Sequence, residues 1–389
     1  MKLRRQSAVA AAIAGALMLI PSAVAAADAN SAPSVPSDSL RALAAHQDLR
    51  IGTAVDMAKL GTDQAYTGIV ASQFSVVTPE NVMKWEAVEP TRGTYDWQPA
   101  DQLVRFAQQH GQSVRGHTLM WHNQLPGWLT TGVADGSISN AELRDILRQH
   151  ITAEAGHFRG KIWQWDVLNE VFANSWDTPT ADGLNSTDFW IQHLGEGVIA
   201  DAFRWAHQAD PKALLMYNDY NIAGQDGTNA KFQAVYAFVK GLRAQGVPID
   251  GIGEQGHLDT QYGFDAQRFQ SDLQAYADLG LKVAVTEADV RTFVNNATDQ
   301  TPASQLAEFA QPYEFSEMLK ACELVRQCIS FTAWGVYDGD SWIPGTFSGE
   351  GYGLLYDVNM KPKAAYFALQ QDLAVAANIR HRGWGTGSE

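Results

Sequence analysis

The run Ile162-Trp163-Gln164-Trp165-Asp166-Val167-Leu168-Asn169-Glu170 is apolar and β-rich until its last two residues, where an amide and a carboxylic acid end it. Near-continuous apolarity over so short a stretch marks a strand covered on both faces, because a half-exposed strand alternates with period two. Working outward, seven similar stretches follow: Ile51 to Asp56, Ser75 to Thr78, Ser113 to Trp121, Ala213 to Asp219, Gly251 to Leu258, Lys282 to Val290 and Ser330 to Val336. Segments of helical period separate them. Ser139-Asn140-Ala141-Glu142 is a capping box that opens a helix with Leu143, Ile146, Leu147 and Ile151 on one face. Phe315, Met318, Leu319, Cys322 and Val325 mark another stripe, and Ala230 to Gln245 and Asp265 to Leu279 read likewise. Doubly covered strands that alternate with helices are parallel, and eight such units close into a single (β/α)8 barrel of the α/β class, a TIM barrel. An open doubly wound sheet lacks support, since Ile51-Gly52-Thr53-Ala54-Val55-Asp56 is not the phosphate loop G-x-G-x-x-G.

With 389 residues and 46% hydrophobic content the chain has enough apolar material for one large domain, which excludes disorder. Lys and Arg number 28 against 43 Asp and Glu, and the net charge of −15 argues against nucleic-acid or anionic-membrane partners. Twelve Trp and twelve Tyr suit a neutral ligand with apolar faces and hydroxyl edges.

Lys2, Arg4 and Arg5 precede the apolar run Ala8 to Ile20, and Ala23-Val24-Ala25 offers a small-residue cleavage site, so residues 1–27 read as a secretory signal. The paired arginines leave both the general and the twin-arginine export routes open. No later segment reaches the roughly 18 to 20 apolar residues of a membrane span. A secreted, extracellular, monomeric protein is therefore expected, with residues 28–38 as a flexible lead-in, 39–376 as the barrel and 377–389, containing Gly383, Gly385 and Gly387, as a loose tail. Cys322 and Cys328 form an even, close pair, which in an exported chain favours a disulfide over a metal site; two buried free thiols are the alternative. For a bridge to form, the helix carrying Cys322 must end before Cys328.

In this fold the carboxyl ends of the strands build the active site. Glu80, Asn81 and Lys84 follow the second strand; His117, Trp121, His122 and Gln124 lie at the third; Asn169 and Glu170 at the fourth. Asn218, Asp219, Tyr220 and Asn221 come at the fifth, Gln255 and His257 at the sixth, Glu287 and Asp289 at the seventh, and Trp334 and Trp342 at or after the eighth. One such residue is more often a loop hydrogen-bonder than a catalyst; convergence from seven strands points to a site. Glu170 and Glu287 end apolar runs in which a carboxylate costs several kcal/mol unless compensated. On strands four and seven they face one another across the barrel mouth, as glycoside hydrolysis requires of its two carboxyls. His117 and His122 form no H-E-x-x-H, so no metal is expected, and no other cofactor is called for. The G-x-S-x-G elbow of acyl transfer is missing from the sequence.

Five segments in order, Thr78-Pro79-Glu80-Asn81-Val82-Met83-Lys84-Trp85, Arg115-Gly116-His117-Thr118-Leu119-Met120-Trp121-His122, Trp165-Asp166-Val167-Leu168-Asn169-Glu170, Thr286-Glu287-Ala288-Asp289 and Trp334-Gly335-Val336-Tyr337-Asp338-Gly339-Asp340-Ser341-Trp342, resemble the endo-1,4-β-xylanases of glycoside hydrolase family 10. The likeness runs from about Leu43 to Asp372. It implies internal cleavage of xylan and xylo-oligosaccharides with retention of configuration, with Glu170 as acid/base and Glu287 as nucleophile. Asn169 resembles the hydrogen-bonder to the sugar 2-hydroxyl, and His257 with Asp289 the pair that orients the nucleophile. Glu80, Asn81, Lys84, His117, Trp121 and Gln124 match glycone-side contacts, Gln255 a further substrate contact, Trp334 and Trp342 the tryptophans over the bound sugar, and Cys322 with Cys328 a helix-end disulfide. Two positions depart from the family: Ala288 stands where Leu is usual, and Val171 to Trp176 is not the familiar Gly-rich loop, so no leaving-side contact is assigned. A retaining β-glucanase on the same barrel and a catalytically silent carbohydrate-binding barrel are the alternatives; the latter usually lacks one carboxyl, and both are present here.

Overall fold

The computed structural model describes residues 35–173, 183–224 and 230–381. The expected signal, most of the lead-in and the glycines of the tail lie outside these residues.

Eight parallel strands close on themselves: β1 (Arg50–Val55), β2 (Val76–Pro79), β3 (Ser113–His117), β4 (Gln164–Asn169), β5 (Leu214–Asp219), β6 (Gly251–Glu254), β7 (Lys282–Phe293) and β8 (Cys328–Ala333). Each pairs with the next, and β8 returns to β1 through Ile51↔Phe331 and Gly52↔Thr332. Every residue of β2, β4 and β6 is buried, as expected for strands with side chains filling the barrel on one face and helices covering the other. The expected helices form, and caps hold the start of these two: Ser139 Oγ accepts from Glu142 N at 3.3 Å to open Asn140–His157, and Asp265 Oδ1 accepts from Arg268 N at 2.9 Å to open Ala266–Asp278.

Besides shifts of about one to three residues at other element ends, three boundaries differ from the sequence expectation. The third strand stops at His117, because Leu119 N and Thr118 Oγ1 both turn to the Asp166 carbonyl, at 3.0 and 2.8 Å, and Thr118 to Trp121 leave the sheet. The sixth stretch is broken at Gln255-Gly256, where Gly256 has φ +78°; His257–Asp259 then pairs with the outer half of β7 through His257↔Asp289. The last helix, Ala364–His381, continues past Ala376, where the tail was expected to begin. The helix Gln305–Glu323 ends before Cys328, and Cys322 and Cys328 are joined as a disulfide with Cα atoms 5.5 Å apart.

Candidate active site

Strands β3, β4 and β7 each place a charged side chain inside the barrel mouth. Arg115, 1% exposed, donates from Nη1 to the Thr286 carbonyl at 2.8 Å; its Nη2 lies 2.5 Å from Asp166 Oδ2 and 3.0 Å from Glu287 Oε1. Asp166 Oδ2 is also 2.9 Å from His117 Nδ1. From β5, Asn218 Nδ2 donates to Glu287 Oε1 at 2.8 Å and to Asn169 Oδ1 at 2.7 Å, while its own Oδ1 accepts from Thr286 Oγ1 at 2.7 Å. This network fixes the Asn169 amide with its oxygen occupied and its buried Nδ2 without a partner among the described residues.

His257 holds the other side of Glu287. Its Nε2 is 3.6 Å from Glu287 Oε2, and its Nδ1 is 3.0 Å from Asp289 Oδ2, which also accepts the Trp342 indole N–H at 2.8 Å. Burial opposes the imidazolium, but the carboxylates of Asp289 and Glu287 outweigh it and carry the His257 pKa up to about 10. Burial alone pushes the Glu287 carboxyl up; His257, His117 and Arg115 overcome that and hold it well below the ordinary carboxylate range. Glu287 is thus a buried but ionised carboxylate.

Glu170 has a different setting. It is half-buried, with φ +56°, and its oxygens accept from Trp121 Nε1 at 2.9 Å and Gln255 Nε2 at 2.8 Å, both neutral donors. Gln255 links the two acids, because its carbonyl accepts the Glu287 N–H at 2.8 Å. Glu170, Gln124 (φ +48°) and Asn221 (φ +57°) are non-glycine residues in the left-handed region, and all three line one cleft. Such conformations persist where surrounding structure imposes them, and they concentrate at functional sites.

The cleft, of about 1190 Å³, is lined by Glu80, Asn81, Lys84, His117, Trp121, Gln124, Glu170, Gln255, His257, Glu287, Trp334 and Trp342. Asn169 and Asp289 stand behind that surface and touch it through Asn218 and His257. Lys84 Nζ is 3.4 Å from Asn81 Oδ1 and 4.9 Å from the Trp121 ring centroid; burial lowers its pKa against the pull of Glu287, Glu80 and Glu170. Gln124 Nε2 donates to Asn81 Oδ1 at 3.2 Å and Glu86 Oε1 at 3.0 Å. Glu80 is pushed up to about 7 by burial and by the nearby charges of Asp340 and Asp56. His122, also noted at a strand end, instead pairs with Asp188 at 3.0 Å.

Sequence reasoning gave no role to Arg115, Asp166 or Asn218, although charged and amide side chains within apolar strands are a signal in themselves. Tyr220, Asn221, Asp259, Tyr262, Arg291 and Phe347 also line the cleft. Asn174 to Trp176, in the atypical loop, lie outside the described residues. His117, Asp166 and Glu287 offer ligand atoms within 4.8 Å of one another, but Asp166 Oδ2 and Glu287 Oε1 already face the Arg115 guanidinium, so the cation between them is the protein's own.

The model of glycosyl hydrolase family 10 matches residues 39–372. The chain belongs to that family. This family 10 glycoside hydrolase is 37% identical over 334 residues to endo-1,4-beta-xylanase B of Thermotoga neapolitana, covering 85% of this chain and 90% of that one. It is 38% identical over 317 residues to an endo-1,4-beta-xylanase of Agaricus bisporus, covering 81% and 88%. Among solved structures, native xylanase 10B from Thermotoga maritima superimposes with a TM-score of 0.79 at 36% identity, over 87% of this family 10 chain and 99% of that one. Xylanase 10B from Thermotoga petrophila, in complex with xylobiose, gives 0.79 at 35% identity, over 87% and 98%.

Proposed function

We propose that this protein is a secreted, retaining endo-1,4-β-xylanase that cleaves internal bonds of xylan by double displacement. The observation that carries the reading is the contrast between two carboxylic acids in one cleft: Glu287 buried among Arg115, Asn218 and His257, and Glu170 half-buried among neutral donors. Environments that separate two acids in this way divide their roles. Ionised Glu287 attacks the anomeric carbon while Glu170 passes its proton to the departing glycosidic oxygen. A glycosyl ester forms on Glu287; Glu170, now a carboxylate, takes a proton from water, and the hydroxyl releases the sugar and restores both groups.

The Nδ2 of Asn169, without a partner among the described residues, suits donation to the sugar 2-hydroxyl, a bond that strengthens as the ring gains oxocarbenium character. Trp334 and Trp342 offer apolar faces to a pyranose, while Glu80, Asn81, Lys84 and Gln124 offer polar edges to its hydroxyls. Xylose lacks a C6 hydroxymethyl group, and Trp342, tied to Asp289, is suited to filling the space that a glucose would need. The names of the relatives and the xylobiose complex of one of them support the choice of substrate. Export rests on the signal pattern of residues 1–27, and N-terminal sequencing of protein from culture medium tests it.

The decisive assay compares product ladders from xylan, β-glucan and carboxymethylcellulose. Xylo-oligosaccharides of mixed length are expected from xylan; faster release from β-glucan or cellulose contradicts the reading.

A further inference from the structure

The loop between Trp334 and Trp342 carries a buried ion pair that takes no direct part in this scheme. Lys363, just before the last helix, donates from Nζ to Asp338 Oδ2 at 2.7 Å and to the Tyr352 carbonyl at 2.8 Å, and the two charged side chains are 4% and 0% exposed. Asp338 Oδ1 accepts the Leu354 N–H at 2.8 Å; its carbonyl accepts Gln300 Nε2 at 2.8 Å, and its N–H donates to the Tyr356 carbonyl at 2.9 Å. The middle of the loop is therefore tied by side chain and backbone to segment 352–356.

That segment forms the back of the catalytic wall. The Gly353 carbonyl accepts the Val290 N–H at 3.0 Å, one residue past Asp289. Position 353 has no room for a side chain: a Cβ there would stand 2.2 Å from Ile343 Cδ1 and 3.7 Å from Asp289 Cβ. Ile343 follows Trp342, whose indole donates to the same Asp289 oxygen that lies 3.0 Å from His257 Nδ1.

A buried ion pair is a poor source of net stability, since apolar replacements of similar volume often do as well; setting a register is its best-attested use. We propose that the Lys363–Asp338 pair is a positioning device for the reaction: it holds the Trp334–Trp342 loop in the register that brings Trp342 onto Asp289 and so orients His257 toward Glu287. This rests on the reading of Glu287 as nucleophile.

The test is a cycle of wild type, K363M/D338N, W342F and the triple variant, assayed on an aryl β-xylobioside, with a thermal unfolding midpoint for each. Removing both charges is expected to lower kcat by about 10- to 100-fold through misplacement of the reacting groups, with a smaller rise in KM from the displaced Trp342 face and an unfolding midpoint near wild type. In the W342F background the same pair of substitutions is expected to cost little more, because both act through one contact. A kcat near wild type, a loss that multiplies undiminished in the W342F background, or a loss that tracks the midpoint overturns the proposal. Should K363M/D338N fail to fold, K363Q/D338N, which is also neutral and keeps a donor for the Tyr352 carbonyl and the acceptor for Leu354, is read by the same criteria. Turnover that survives in Glu287→Ala removes the reading of the nucleophile and this inference with it, whereas additivity with W342F removes the positioning claim alone.

Discussion

Arg115 and Glu287 meet inside the barrel with the guanidinium Nη2 3.0 Å from the carboxylate Oε1, while Asp166 holds the same nitrogen from its other side at 2.5 Å. The guanidinium offsets the cost of burying the Glu287 carboxylate. Arg115→Met takes it away and leaves both acids under-compensated, a loss of about 3–5 kcal/mol when one member of a buried ionic cluster is removed. Urea unfolding near neutral pH measures that loss. The acid limb of kcat/KM is expected to move to higher pH, because burial then acts on Glu287 with less opposition. Unchanged stability together with an unchanged acid limb contradicts this role for Arg115.

The His257 contact gives stability a pH dependence of predictable sign. Its folded-state pKa, about 10, lies above the roughly 6.5 of an unfolded chain. Between those values the folded state binds the extra proton, so the contribution is complete below about pH 6.5 and is lost as pH rises through about 10. Urea unfolding from pH 6 to about pH 10 is expected to show a decline that is much shallower in His257→Asn. Equal slopes for the two proteins contradict the assignment. Glu287, shifted down, behaves oppositely: its contribution is present above the unfolded carboxylate pKa and is lost as pH falls through the lowered one.

The barrel was legible because Trp165, Val167 and Leu168, or Val283 to Val285, are buried on both faces and leave no alternation in the sequence. The cleft was legible because Glu80, Gln255 and Trp334 follow, and Glu287 sits on, strands whose closure forces them together. Arg115 and Asn218 received no role for a physical reason: they reach Glu287 from β3 and β5, strands that do not pair with β7, and such contacts are set by barrel closure and register, as in Gly116↔Trp165 and Asn169↔Asn218, which one linear segment does not encode. The stop at His117 escaped for a similar reason, since the residues that end β3 bond to the Asp166 carbonyl of another strand.

Asn169 and Asn218 allow a graded test. Asn169→Ala removes the Nδ2 that would meet the 2-hydroxyl, and a loss of about 10²- to 10³-fold in kcat is expected for one such donor. Asn218→Ala keeps that donor but frees its orientation and takes one hydrogen bond from Glu287, so a smaller loss is expected. Steady-state kinetics on xylo-oligosaccharides of fixed length make the comparison. A 2-deoxy substrate that penalises wild type and Asn169→Ala equally contradicts the assigned contact.

Reduction of Cys322–Cys328 is expected to leave activity at moderate temperature and to lower the unfolding midpoint. The bridge closes a loop with a sequence separation of 6 at the end of a helix, a constraint worth about 2 kcal/mol in the chain-entropy account. Thermal scans with and without reductant read the effect, and coincident midpoints contradict it.

The covalent step is the core of the account, and mass spectrometry after incubation with a 2-deoxy-2-fluoro xylobioside tests it most directly. A slow-turnover glycosyl ester is expected on the peptide containing Glu287, forming readily in wild type and absent from Glu287→Ala. A label on another peptide, or no label from an enzyme whose first product is the inverted anomer, contradicts the mechanism.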